Sequence, residues 1–121
     1  MKRIRLSNEA YRSGHAFSVT VTGRDRVFAC ASAADRCLEL LKETTLKFQA
    51  KVFAYCLMPD HIHLLVWLPN RASLLSFIKH FKHITSYHIQ RLLGRPESVW
   101  QTRFYDHALR NEDDLHYWTS S

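Results

Sequence analysis

The sequence predicts an α+β sandwich, an antiparallel sheet with two packed helices plus an added C-terminal helix. Three observations predict it. Strand-like and helix-like periodicities follow one another in the order strand, helix, strand, strand, helix, strand, helix. The two central strand-like runs are separated only by Pro59 and Asp60, a spacing that fits a hairpin. A chain of 121 residues with 46% apolar side chains is long enough for one core, and a second domain is not expected.

The elements follow in order. HAFSVTVTG, His15 to Gly23, alternates: Phe17, Val19 and Val21 fall on one face and Ser18, Thr20 and Thr22 on the other, the period of a half-buried strand. SAADRCLELLKETTLKFQ opens with a capping box, Ser32 with Asp35, and puts Ala34, Cys37, Leu38, Leu41, Thr45 and Phe48 on one stripe, so an amphipathic helix is expected. KVFAYCLM and HIHLLVWL are the strands of the hairpin, because Pro59 cannot donate to a ladder and Asp60 favours a turn. ASLLSFIKHFKHITSYHIQRLL is a long helix with Leu74, Phe77, Ile78, Phe81, Ile84 and Leu92 toward the core and Lys79, Lys82, His83, Ser86 and Gln90 toward water. GRPES ends it, since Gly suits a helix terminus and Pro cannot extend one. VWQTRFYDHALR is a fourth strand. Asn111 then caps EDDLHYW, with three acids where the helix dipole favours them. Apart from that last helix, the order is that of a ferredoxin-like fold.

Seventeen Lys and Arg against eleven Asp and Glu leave a net charge of +6 and a pI near 9.5, which suits a polyanionic partner. A basic surface with no partner has the same composition. Cys30, Cys37 and Cys56 are odd in number and form no C-x-x-C pair, so neither a disulfide framework nor a structural zinc site is indicated, and a reducing, cytoplasmic setting is expected. The basic start MKRIRLSNEAYRSG lacks the apolar segment of a signal peptide, and no apolar run approaches membrane-spanning length.

YCLMPDHIHLLVWLP, Tyr55 to Pro69, is almost wholly apolar but carries two histidines. Residues two apart on a strand share a face, so His61 and His63 project together while Ile62 and Leu64 face the helices. Two neutral imidazoles can chelate one cation; a catalytic metal needs at least one further protein ligand, which the hairpin does not supply. The alternative is a pair of partly exposed sheet histidines satisfied by hydrogen bonds. His88 falls on the apolar side of the second helix and is expected in the core.

The context of the pair is more specific than the pair. YCLMPDHIHLLVWLP resembles the signature of the single-tyrosine HUH transposases, in particular the REP-associated tyrosine transposases, in which H-hydrophobic-H follows an MPNH or MPDH turn. ASLLSFIKHFKHITSYH and VWQTRFYDHALRNEDDL continue the likeness, the latter resembling W-Q-x-x-F-x-D-H-x-x-R-x-E-x-x-L, so that it spans roughly His15 to Leu115. The resemblance implies a ferredoxin-like fold and a divalent ion, Mg2+ or Mn2+, held by His61 and His63 over a single-stranded DNA phosphodiester. It also implies attack by a tyrosine with a covalent 5′-phosphotyrosine intermediate. The partner it implies is single-stranded DNA with hairpin structure, bound by a monomer or homodimer. Imidazole ligands alone would have favoured zinc, so the choice of Mg2+ or Mn2+ rests on the resemblance. Arg71, Lys79, Lys82, Arg91 and Arg103 are the candidates for phosphate contacts, with Lys79 and Lys82 as neighbours on one helix face.

The family's nucleophile lies on the helix after W-Q-x-x-F, commonly in Y-I-x-x-N-P, where the Asn one turn on completes the metal site. By spacing from Leu115 that tyrosine falls near Ser121, the last residue here, and HYWTSS has no such motif. Tyr117 is on the expected helix but several positions early, and the residue four beyond it is Ser121. Two readings stay open: a strand-transferring enzyme using Tyr117, or a truncated, transposase-derived protein that binds hairpin DNA without cleaving it. The truncated reading, with an incomplete catalytic helix, is the one the missing motif favours.

Overall fold

The computed structural model describes residues 2–3, 15–70 and 72–108, with side chains for 15–70 and 72–101. These residues form β1 (Lys2–Arg3), β2 (Ala16–Gly23), α1 (Ala31–Lys47), β3 (Lys51–Met58), β4 (His61–Trp67), α2 (Ser73–Leu93) and β5 (Trp100–Ala108), with a 3-10 turn at Val27–Ala29 leading into α1. The helix expected from Asn111 onward lies outside the described residues.

The sheet order is β1-β3-β4-β2-β5 and every pairing is antiparallel. Strands β2 and β3 both flank β4 and therefore run parallel to each other, so the connection through α1 steps over β4. In the same way the connection through α2 steps over β2. These two interleaved crossovers are the ferredoxin-like arrangement expected from the order of elements. The addition is β1, whose Lys2 and Arg3 pair with Tyr55 and Ala54 on the outer edge of β3. A two-residue strand carries no periodicity from which it can be read.

One face of the sheet is the core. Phe17, Val19 and Val21 of β2 and Ile62, Leu64 and Val66 of β4 are buried in one cluster with Cys37 and Leu41 of α1 and Phe77, Ile78, Phe81 and Ile89 of α2. The alternation predicted for β2 and for Ile62 and Leu64 is the alternation found.

Both helices are rotated or shifted slightly from expectation, for physical reasons. Helix α1 starts at Ala31 with Cys30 as N-cap and no side-chain capping bond, so Ser32 is inside the first turn and the capping box is not formed. Packing places the helix entry instead. The Phe28 ring lies 5.0 Å from Trp100, and the Phe28 N–H donates to the Pro59 carbonyl at 3.0 Å. The buried stripe is Ala33, Cys37, Leu40, Leu41 and Thr44.

In α2 the stripe is Leu74, Phe77, Ile78, Phe81, Thr85 and Ile89. Leu92 is 50% exposed, and Ile84 is only partly buried. Thr85 occupies the core because its hydroxyl has two jobs: it donates to the Phe81 carbonyl at 2.6 Å and accepts the Trp100 indole N–H at 2.6 Å. His88 is not a core residue; its Nδ1 lies 3.2 Å from the Arg36 guanidinium, bridging α2 to α1. Gly94 ends α2 at φ 63°, a left-handed position with nothing near where a Cβ would stand, so backbone conformation and not space calls for glycine.

Candidate functional site

Strand β4 is central, with β3 on one side and β2 on the other, and its odd-numbered residues point to the face opposite the helices. His61 stands across from Thr22, His63 from Thr20 and Leu65 from Ser18. The two imidazoles therefore share one face, and their ring centroids are 4.5 Å apart at an interplanar angle of 77°.

Each ring is held by its Nδ1. Nδ1 of His61 is 2.8 Å from Oδ1 of Asp60, and Nδ1 of His63 is 2.8 Å from Oγ1 of Thr20. The hydrogen bond from His61 holds the Asp60 carboxyl below the usual carboxylate range; burial is the next largest influence and opposes it, and the charge of His61 adds to the lowering. An ionised carboxylate only accepts, so the proton of His61 sits on Nδ1 and, in the neutral ring, the lone pair sits on Nε2. Burial, then the charge of His61, pushes His63 below the ordinary imidazole value and favours its neutral form, the form that ligates metals. An outer carboxylate or hydroxyl that fixes the ring and its tautomer is the usual support of a metal-ligating histidine. The sequence pointed to Asp60 chiefly as a turn residue. It serves both roles, and Thr20 was not foreseen, because its part depends on the register of β2 on β4.

The spacing fits a shared ion. Two imidazoles bound through nitrogen at about 2.1 Å, with bond directions near a right angle, bring their centroids to about 4.5 Å. Among the described residues no third His, Cys, Asp or Glu joins them, so this pair supplies two nitrogen ligands.

The other candidates are placed differently. Lys79, Lys82 and Arg91 are on α2, which packs on the opposite face of the sheet, so they are not beside the imidazoles. Lys82 donates to the Gln101 carbonyl at 2.6 Å, and burial pushes its ammonium below the ordinary lysine value. Arg91 stacks over the Tyr87 ring at 5.3 Å. Arg103 is in β5, where the pairing slips: Val21 pairs with Phe104 and Gly23 with Trp100, leaving Gln101 to Arg103 opposite Thr22 alone. That irregularity is at the His61 end of the sheet. Arg71 and Tyr117 lie outside the described residues. Trp100 is 2% exposed and packs in the core; Trp67 has the Lys51 ammonium 5.4 Å over its ring.

The family model for IS200-like transposases matches residues 13–113, and the chain belongs to that family. A candidate REP-associated tyrosine transposase of Haemophilus influenzae is 33% identical over 84 residues, 61% of this chain and 48% of that protein. The chain thus spans about half the length of this relative. The fold is also that of a solved REP-associated tyrosine transposase bound to a REP hairpin. The TM-score is 0.71 at 22% identity, over 98% of this chain and 68% of that one. A candidate transposase of Deinococcus radiodurans has TM-score 0.67 at 15% identity, over 87% of this chain and 86% of that one.

Proposed function

We propose that the protein binds single-stranded DNA carrying a hairpin and cleaves and rejoins it through a 5′-phosphotyrosine intermediate. His61 and His63 hold a divalent cation, Mg2+ or Mn2+, and Tyr117 is the nucleophile. One observation carries the reading: two partly exposed imidazoles on one sheet face, 4.5 Å apart, each anchored through Nδ1. Family membership, the neighbour bound to a REP hairpin and the net charge of +6 support it.

When bound, the cation supplies positive charge against the negative charge that builds on the phosphoryl oxygens. The chain's own residues do the rest. Asp60 and Thr20 keep both rings in one orientation, so little reorganisation is needed when DNA arrives. The Tyr117 phenol oxygen forms a bond to phosphorus as the bond from phosphorus to the 3′ oxygen breaks. The phenolic proton goes to solvent and the departing oxygen leaves as a 3′-hydroxyl. Rejoining is the reverse, with a 3′-hydroxyl attacking the phosphotyrosine. One phosphoester replaces another at each step, so no nucleotide hydrolysis is needed.

The test is incubation of the 121-residue chain with labelled stem-loop DNA and Mn2+, followed by a denaturing gel. A covalent adduct is expected, lost in Tyr117→Phe and strongly reduced in His61→Ala and His63→Ala. An adduct that survives Tyr117→Phe removes that residue as nucleophile. Salt-sensitive binding of the stem-loop with no adduct replaces the enzyme by the DNA-binding protein.

A further inference from the structure

We propose that the bend Arg24–Arg26 is a phosphate-holding lip of this site, with Arg26 contacting the DNA backbone beside the phosphodiester that His61 and His63 serve. The inference rests on the functional reading above and adds a contact that the α2 cations, on the other face of the sheet, do not make.

The bend is tied at both ends to the turn that precedes His61. The Gly23 N–H donates to the Asp60 carbonyl at 2.8 Å and the Phe28 N–H to the Pro59 carbonyl at 3.0 Å. A Cβ at Gly23 would stand 3.3 Å from the Phe28 ring and 3.4 Å from the Val99 carbonyl, so a larger residue would fit here only tightly. Between these ties, Asp25 (φ 56°) and Arg26 (φ 51°) are two successive non-glycine residues in the left-handed region. Side chains with a Cβ rarely adopt that conformation, and it persists only where surrounding bonds impose it.

They do so here. The Arg24 N–H donates to the Val99 carbonyl at 2.8 Å, the Val27 N–H to the Arg24 carbonyl at 3.2 Å and the Ala29 N–H to the Arg26 carbonyl at 3.0 Å. Arg95 holds the Asp25 carboxylate at 3.2 Å. The acid of the bend is thereby paired, while Arg24 and Arg26 are exposed and, among the described residues, form no ion pair. A strained, braced bend thus carries two exposed arginines at the end of the sheet where His61 stands, tied to the turn that precedes it. Guanidinium is suited to phosphate through its fork of donors.

The test uses glycine, which accepts the left-handed backbone, so loss of the side chain is separated from loss of fold. Binding of a labelled DNA stem-loop with single-stranded flanks is followed by anisotropy across a salt series, beside thermal unfolding. For Arg26→Gly the expected results are a Tm at or above that of the parent, binding weaker by about tenfold at low salt, and a salt slope smaller by about one. Arg26→Lys keeps the slope. If the parent binds and Arg26→Gly matches it in affinity and slope, this proposal alone falls. If the parent does not bind the stem-loop, the functional reading falls and takes this one with it.

Discussion

Asp60 is a turn residue and an imidazole anchor at once, and the two roles can be separated by mutation. In Asp60→Ala the hairpin retains its Pro59 while His61 loses the acceptor of its Nδ1 proton. Mn2+ affinity measured by calorimetry should fall by about 10- to 100-fold, the usual effect of deleting such an outer partner. The far-UV spectrum should be unchanged. His63 makes a pH-dependent contribution whose sign follows from its burial. Its folded value lies below the ordinary 6.5, so the unfolded chain takes up the proton first as pH falls. The associated stability is intact above about 6.5 and is lost as pH falls toward and through the lowered value. Metal-free protein should therefore lose Tm in that window. His63→Gln should lose less of it, part of the remainder belonging to His80, which burial also pushes down.

At the scale of elements, α2 is tied to β5 by a buried hydrogen bond from the Trp100 indole to Thr85, beside the bond from Lys82 to the Gln101 carbonyl. Thr85→Val keeps the volume but leaves that N–H unpaired in the core, at a cost of about 1–3 kcal/mol. Urea unfolding should show the loss as a lower midpoint. Elements also show which features the sequence could reveal. The shared face of His61 and His63 was legible because alternation along a strand needs no knowledge of neighbours. Thr20 was not, because it meets His63 only through the pairing of β2 with β4. Ser32 with Asp35 has the pattern of a capping box, but Phe28 packing on Trp100 sets the start of α1 two residues earlier than that pattern requires. Lys79 of α2 is exposed, as its place on the polar stripe implies, whereas Lys82 is half-buried against the Gln101 carbonyl. Which side of the sheet they occupy depends on the crossover, and the crossover puts them away from the imidazoles.

Taken as a whole, the molecule divides its labour between two faces of one sheet. The helix face holds the apolar cluster, and the opposite face displays the histidine pair with Thr20 and Thr22 across from it. Among the described residues no helix is long and apolar enough to cross a membrane. Because β4 is paired along its length with β2 on one side and β3 on the other, the direction of its side chains is fixed from both sides, and the connection from β3 is only two residues long. A glycine inserted after Asp60 has two outcomes: it bulges out and leaves chelation unharmed, or it advances β4 by one step. Backbone pairing should favour the bulge, and Mn2+ titration would show near-parental affinity. The same insertion placed after His61 leaves one ring stranded on each side of the ribbon and abolishes chelation. Chelating ability here needs both phase and reach: a single residue, Ile62, between the two rings puts them on one side at neighbouring positions, a second would turn them to opposite sides, and a third would restore the side but carry them about 13 Å apart.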